Sequence, residues 1–590
     1  MQFIHHMTAP WVFVNQADAC TLQLWAQRGR ETAVWVLHGD PYDYLSGKTN
    51  RMCKTQLHPI WEDDEKTVFQ AVVPNPTHKL RYLFALEQSG RTVYLGCNGM
   101  QSTLAQADAF RLGYQYGENQ TPDWAGRSLW YQIFPDRFAK MNADDAPFVP
   151  TRENRWGGTL AGIREKLPYL QALGVTGVYL TPVFASPSNH RYDTADYTRV
   201  DPMLGENGEL VALAQELHRR GLRLMLDGVF NHAAYDCPLF QDVVRNGRKS
   251  PYWDWFLIYD EERARTMTLE QLTSDVMKTD PPYECFAFAA NMPKWNTDHE
   301  PVMEYLIGCA ERWTTCLALD GWRLDVSDEV SPRFLRRFRR RMRAINPQLL
   351  IIGEVWSEPY PWVQNGLLDG TMDYPLYHAL DEYLLQKTLT SEAFCRRMNR
   401  YTHELPIETR RCQMTFICNH DLPRPLTQAH GDAATVIAAL TLLLLLDGEA
   451  CLYYGDERAM QGGEDPANRG AVCWAESAET LQMEAVVKQL SAFRREYLAL
   501  PLEQITFEAR SEELVEVRIR RGGVRLTLLL HPQAGRAQHT AYAHGTVLLE
   551  TERSLLCCDG GEGAEYPMLN AMSAVQHGQR NCVIQNCEFA

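Results

Sequence analysis

The chain has 590 residues, more than one hydrophobic core ordinarily serves, so several folding units are expected. Hydrophobic residues make up 45% and charged residues 22%, which excludes extensive disorder. With 58 Lys and Arg against 74 Asp and Glu the formal charge is -16, which excludes nucleic-acid backbones and anionic lipid surfaces as natural partners.

The amino end, MQFIHHMTAPWVFV, lacks a basic segment followed by a sustained apolar run and a small-residue cleavage site, so no secretory leader is predicted. The 16 Cys are scattered without a C-x-x-C pair, which fits reduced thiols and a cytoplasmic chain. The longest apolar run, Val436 to Leu446, is too short to span a bilayer and reads as a buried helix. No membrane partner is expected.

From residue 1 to 121, short apolar runs (WVFV, LQLW, AVWVL, TVFQAVV, YLFAL) between turn-rich polar stretches predict an N-terminal β-sandwich. After GENQTPDWAG the pattern changes to apolar strands alternating with amphipathic helices such as ELVALAQELHRR, the signature of β-α repeats and a parallel sheet. The strand candidates are LWYQIFP, TGVYLTP, LRLMLDGVF, GWRLDV, LLIIGEVW, LLDGTMDY, QMTFICNHD and ACLYYGDE. Eight such strands predict an α/β fold, a closed (β/α)8 TIM barrel over 122–500, with an inserted lobe at about 233–290 after the third strand. Beyond it, LVEVRIRR, VRLTLLLHP and HGTVLLE predict a second β-sandwich over 501–590.

In such a barrel the polar residues that follow each apolar run share one mouth. Asp325 ends the fourth strand and Glu354 the fifth, so adjacent parallel strands bring two carboxylates together. Neighbouring strands lie about 4.8 Å apart, which suits the close carboxylate pair of a retaining glycosidase, one acid attacking the sugar and the other protonating the leaving oxygen. Arg323, two residues before Asp325, shares its face and holds it ionised. The chemistry calls for environments that separate the two pKa values, with Glu354 the higher. The third strand supplies Asp227, Asn231 and His232, and the seventh supplies His420 and Asp421, polar groups suited to gripping sugar hydroxyls.

The segments DGVFNH (227–232), GWRLDVSDE (321–329), GEVW (353–356) and CNHD (418–421) resemble the α-amylase superfamily in kind and order. The resemblance implies Asp325 as nucleophile, Glu354 as acid/base and Asp421 as transition-state stabiliser, with Arg323, His232 and His420 contacting the sugar or the acids. MPKWN (292–296) is similar to the MPKLN-type signature of the neopullulanase, cyclomaltodextrinase and maltogenic amylase group, with Trp295 in place of Leu. SPSNHRYDTADY (186–197) resembles that group as well, implying Tyr192 as a platform beneath the reacting sugar and Asp465 and Arg469 as further contacts. Gly470 departs from the group's usual second basic residue. Trp356, after the acid, is a candidate acceptor-sugar contact or a packing residue.

The resemblance implies an α-glucan hydrolase acting on cyclomaltodextrins, maltodextrins or pullulan at α-1,4 bonds, with some α-1,6 cleavage and transglycosylation. An exo-acting α-glucosidase and a catalytically silent carbohydrate-binding protein are the alternatives. A homodimer through the N-terminal domain is expected by analogy. No cofactor is expected: the group's calcium site uses N-G-D and G-G-D stretches, whereas this chain has AKMNADD and GGTL, with Thr159 where a carboxylate belongs.

Overall fold

The computed structural model describes residues 3–559 except for 8–9, 17, 29–32, 42–51, 63–65, 89, 114–120, 142–147, 274–279, 365, 406 and 533–545. Its centre is an eight-stranded parallel sheet built from β1 (Leu129–Ile133), β2 (Gly177–Leu180), β3 (Arg223–Gly228), β4 (Gly321–Leu324), β5 (Leu350–Gly353), β6 (Gly370–Thr371), β7 (Met414–Thr415) and β8 (Glu449–Tyr453). The order β6-β5-β4-β3-β2-β1-β8-β7 is closed by a parallel bridge between Met372 and Met414, so the sheet is a barrel. Seven of the strands fall within predicted apolar runs, and β8 begins one residue ahead of its run, at Glu449. Both faces of these strands are covered, which is why they read as continuous apolar runs rather than alternating ones. The Val436–Leu446 run forms most of a helix over Ala433–Leu445, buried from Thr435 onward.

Between β3 and β4 the chain makes the inserted lobe, with short helices at Pro238–Asn246 and Glu261–Thr266. The lobe returns to the barrel slightly beyond the predicted limit. His232 bridges to Lys294, and Trp295 N–H donates to the Asn231 carbonyl at 3.0 Å. Trp295 is fully buried, stacked on Phe256 at 4.5 Å, with its indole N–H donating to Tyr197 Oη at 3.1 Å. The MPKWN segment therefore clasps the base of the lobe to the mouth.

The N-terminal unit is a ten-stranded antiparallel assembly in two halves joined by strand Cys53–Glu62, which pairs with Ala33–Gly39 on one side and Lys66–Pro74 on the other. It encloses a separate core that includes Leu22, Leu24, Val36, Tyr82 and Phe84. After the helix Ala478–Tyr497, a five-stranded antiparallel sheet runs from Leu502 to Asp559. Only that one sheet of the expected C-terminal sandwich lies among the described residues.

Candidate active site

The barrel register sets the first two acids. Leu324 of β4 pairs with Gly353 of β5, so the next residues, Asp325 and Glu354, leave adjacent strands side by side. Arg323 is fully buried between them. Its Nη1 donates to Asp325 Oδ1 at 2.9 Å and to Asp227 Oδ1 and Oδ2 at 2.9 and 3.1 Å. Its Nη2 lies 2.9 Å from Glu354 Oε2, an ion-pair contact without hydrogen-bond alignment. One guanidinium thus ties together carboxylates from three successive strands.

Glu354 is further oriented by two donors, the Val326 backbone N–H at 2.9 Å and Trp356 Nε1–H at 2.9 Å. Val326 reaches that geometry at φ 44°, a left-handed conformation costly for a β-branched residue and found where a site imposes it. Trp356 is 51% exposed and stacks on Tyr374 with ring centres 4.3 Å apart, so one face is packed and the other is open at the mouth.

Burial and the neighbouring Glu354 carboxylate push Asp325 well above the usual carboxylate range, against the pull of Arg323. Three acids share this one buried cation. Asp227 is also raised by burial, opposed chiefly by Arg323 and the phenols of Tyr179 and Tyr192. Those phenols donate to Asp227 Oδ2 at 2.6 and 3.0 Å.

The opposite wall comes from the loops after β7 and β8. His420 stacks on Tyr192 with centres 5.1 Å apart and planes within 7°. Its Nε2 lies 3.2 Å from Asp421 Oδ2, and Arg469 Nη2 donates to Asp421 Oδ1 at 3.1 Å. Arg469 also pairs with Asp465 at 2.9 Å and donates from Nε to the His420 carbonyl at 2.8 Å. Asp421 keeps 28% of its side chain exposed, so it faces the opening. His232 donates from Nε2 to the Tyr192 carbonyl at 3.1 Å and stacks on Phe286 of the lobe at 4.9 Å. Burial pulls His232 down to about 3, and burial together with Arg323 and Arg469 pulls His420 far below the usual histidine range, so both rings are neutral.

All twelve residues singled out from the sequence, Asp227, Asp325, Glu354, Asp421, Tyr192, His232, Arg323, His420, Asp465, Arg469, Trp356 and Asn231, fall in one connected network, Asn231 joining through its Nδ2, 3.4 Å from His232 Nδ1. Sequence reasoning missed Gln132, Tyr179, Val326 and Phe286. Gln132 and Tyr179 sit inside apolar runs and read as core, and no local pattern signals a left-handed valine. Phe286 is one aromatic among many in the lobe.

The alpha amylase catalytic domain matches residues 132–496, and the alpha amylase N-terminal ig-like domain matches residues 1–116. The chain belongs to the alpha-amylase family. It is a glycoside hydrolase of that family. A cyclomaltodextrinase of Geobacillus thermopakistaniensis is 35% identical over 529 residues, 87% of each chain. An intracellular maltogenic amylase of Bacillus subtilis is 33% identical over 497 residues, 80% of this chain and 81% of the relative. A solved cyclomaltodextrinase superposes with a TM-score of 0.81 at 28% identity, covering 95% of this chain and 98% of that one.

Within this alpha-amylase fold, Thr159 spends its hydroxyl as a helix cap, accepting from Gly162 N–H at 3.1 Å. Asp136 nearby is committed to Arg137 and to the Trp156 N–H. The acids of AKMNADD fall in 142–147, outside the described residues. Among the described residues no three His, Cys, Asp or Glu cluster as a metal site, and no helix is long and apolar enough to cross a membrane. A large open groove of about 990 Å³ lies away from the mouth, between strand Cys53–Glu62 and the edge strand Leu502–Ser511, and holds none of the predicted site residues.

Proposed function

We propose that this alpha-amylase family member is a retaining α-glucan hydrolase that opens cyclomaltodextrins and cleaves maltodextrins and pullulan, mainly at α-1,4 bonds. The observation that carries the reading is the shared ion pair of Asp325 and Glu354 on Arg323, at 2.9 Å to each. Carboxylates that leave adjacent paired strands and share one guanidinium suit the close acid–nucleophile spacing of a retaining enzyme, so we assign the second acid as nucleophile.

In the first step, Glu354 delivers its proton to the glycosidic oxygen as an Asp325 oxygen attacks the anomeric carbon from the opposite face. The C–O bond to the leaving sugar breaks, and a glycosyl ester forms on Asp325. Arg323 draws the Asp325 pKa down against burial and Glu354, favouring the ionised form that attacks, and stays charged throughout. In the second step, Glu354, now a carboxylate, takes a proton from water as its oxygen attacks the same carbon, releasing Asp325. Two inversions give net retention, and a sugar hydroxyl in place of water gives transfer. Asp421, exposed and held by Arg469, grips ring hydroxyls more tightly as the sugar flattens. Tyr192 is the platform beneath that sugar, with His232, His420 and Asp227 around its rim. Arg469 and Asp465 line one side. Trp356 offers its open face to the acceptor sugar.

We also infer chemistry independent of metal, because the acids at the mouth are already committed to Arg323, Arg469 and hydrogen-bond donors. A dimer through the N-terminal ig-like domain, a cytoplasmic location consistent with scattered cysteines that form no C-x-x-C pair, and unit boundaries near 121 and 500 complete the reading. Light scattering across micromolar concentrations tests the dimer. The deciding experiment is timed product analysis on β-cyclodextrin, maltotriose, pullulan and starch. Rapid ring opening with maltose and glucose as products supports the proposal; glucose released only from linear ends points to an α-glucosidase, and no turnover to a binding protein.

A further inference from the structure

His420 is fixed in place but not, by itself, in protonation. Its ring lies flat on Tyr192, and its carbonyl is held by Asn468 Nδ2 at 2.7 Å and Arg469 Nε at 2.8 Å. The ring is neutral, with Arg323, Arg469, Glu354 and His190 acting on it, so it carries one hydrogen on one of two nitrogens. Which nitrogen decides whether the side facing the mouth donates or accepts.

One neighbour answers this. Gln132 Nε2, an amide donor, lies 2.9 Å from Nδ1, so Nδ1 is a bare lone pair and Nε2 carries the hydrogen. Asp421 Oδ2 lies 3.2 Å from Nε2, an ion-pair contact without hydrogen-bond alignment. Gln132 is 1% exposed on β1, paired in register with Tyr179 of β2 and Tyr453 of β8, and its carbonyl takes the Tyr454 N–H at 2.9 Å. Turning the imidazole over would put a carbon atom against Gln132 Nε2 and lose that contact. A buried glutamine whose side-chain amide meets the far nitrogen of a substrate-facing histidine plays the role that a second-sphere partner plays behind a metal-bound imidazole.

We propose that Gln132 is a positioning residue that selects the Nε2–H tautomer of His420, so that the ring presents a donor on its Asp421 side, toward the sugar hydroxyls at the mouth. The assignment rests on the hydrolase reading for its consequence, but not for its test. Gln132 touches no substrate; it acts through His420.

The test is a nitrogen spectrum of the full-length chain labelled with ¹⁵N-histidine, the His420 signals being those absent from His420→Asn. The unaltered chain is expected to show a protonated Nε2 and a bare Nδ1. Gln132→Glu sets an acceptor against Nδ1, so a hydrogen moves there or is added there, and the kcat/KM profile against pH gains an ionisation that the unaltered enzyme lacks. Gln132→Met, which removes the donor at similar size, lowers kcat/KM about tenfold, mostly in kcat. A protonated Nδ1 in the unaltered chain overturns the proposal whatever the variants do. So does a Gln132→Glu chain whose His420 signals are unchanged. The spectrum does not depend on turnover, so an inactive chain with a protonated Nε2 refutes the hydrolase reading and leaves this one standing.

Discussion

Replacing Arg323 tests the electrostatic design of the mouth. The side chain is fully buried and meets Asp227, Asp325 and Glu354 at 2.9 Å each. In Arg323→Lys the charge remains, but a single ammonium cannot reproduce the planar fork, and at least one charge-assisted contact is lost, worth about 1.5–3 kcal/mol. If that loss falls on the transition state, kcat/KM drops about 10- to 150-fold. Arg323→Met leaves buried carboxylates without their cation, a loss of about 3–5 kcal/mol and so about 100- to 10,000-fold. The two variants separate further by pH. Asp325 attacks only when ionised, and Arg323 is what draws its pKa down against burial and Glu354. Without the cation that pKa rises, the ionised fraction at a given acidic pH falls, and the acid limb of kcat/KM moves to higher pH. The assay is kcat/KM on β-cyclodextrin across the acid limb, with circular dichroism as a folding control. A folded Arg323→Met chain with less than a tenfold loss and an unmoved acid limb refutes the reasoning.

Trp356→Phe keeps a ring above Tyr374 but removes the donor to Glu354 Oε1, so kcat on β-cyclodextrin should fall about tenfold with little change in KM, whereas Trp356→Ala should raise KM as well. Asp369 accepts from Arg339, Arg343 and the Ile351 N–H with a fully buried side chain, so Asp369→Ala should cost about 3 kcal/mol or more in urea unfolding. Glu300→Ala, which breaks exposed pairs to Arg333 and Arg337, should leave the urea unfolding midpoint nearly unchanged. Burial raises Asp373 from 3.8 to about 6. The folded chain then binds more protons than the unfolded one in that window, so this group's contribution to stability falls as pH rises from about 4 to about 6. Asp373→Asn should flatten that fall in thermal melts, since the amide can still accept from Leu376 N–H at 3.1 Å and meet Tyr401 Oη at 2.7 Å.

The barrel was legible because strands buried on both faces leave unbroken apolar runs, and because a polar residue after such a run has one destination. Asp325, Glu354 and Asp421 were found that way. The network behind them was not. Tyr179 and Gln132 occupy strand positions where a polar atom inside an apolar run gives no hint of pairing with Asp227 or His420, residues distant in the chain. The strained turn at Val326 follows from closing Glu354 against the next strand, a tertiary demand. Chain position pairs Arg323 with Asp325, and only the assembled mouth shows it divided among three acids.

The most direct test of the central claim is mass spectrometry of the quenched enzyme after reaction with a slow fluorinated α-glucosyl fluoride. The account predicts one glucosyl ester on the peptide bearing Asp325, absent from Asp325→Asn. An adduct on Glu354, or turnover with inverted anomeric configuration and no adduct, contradicts it.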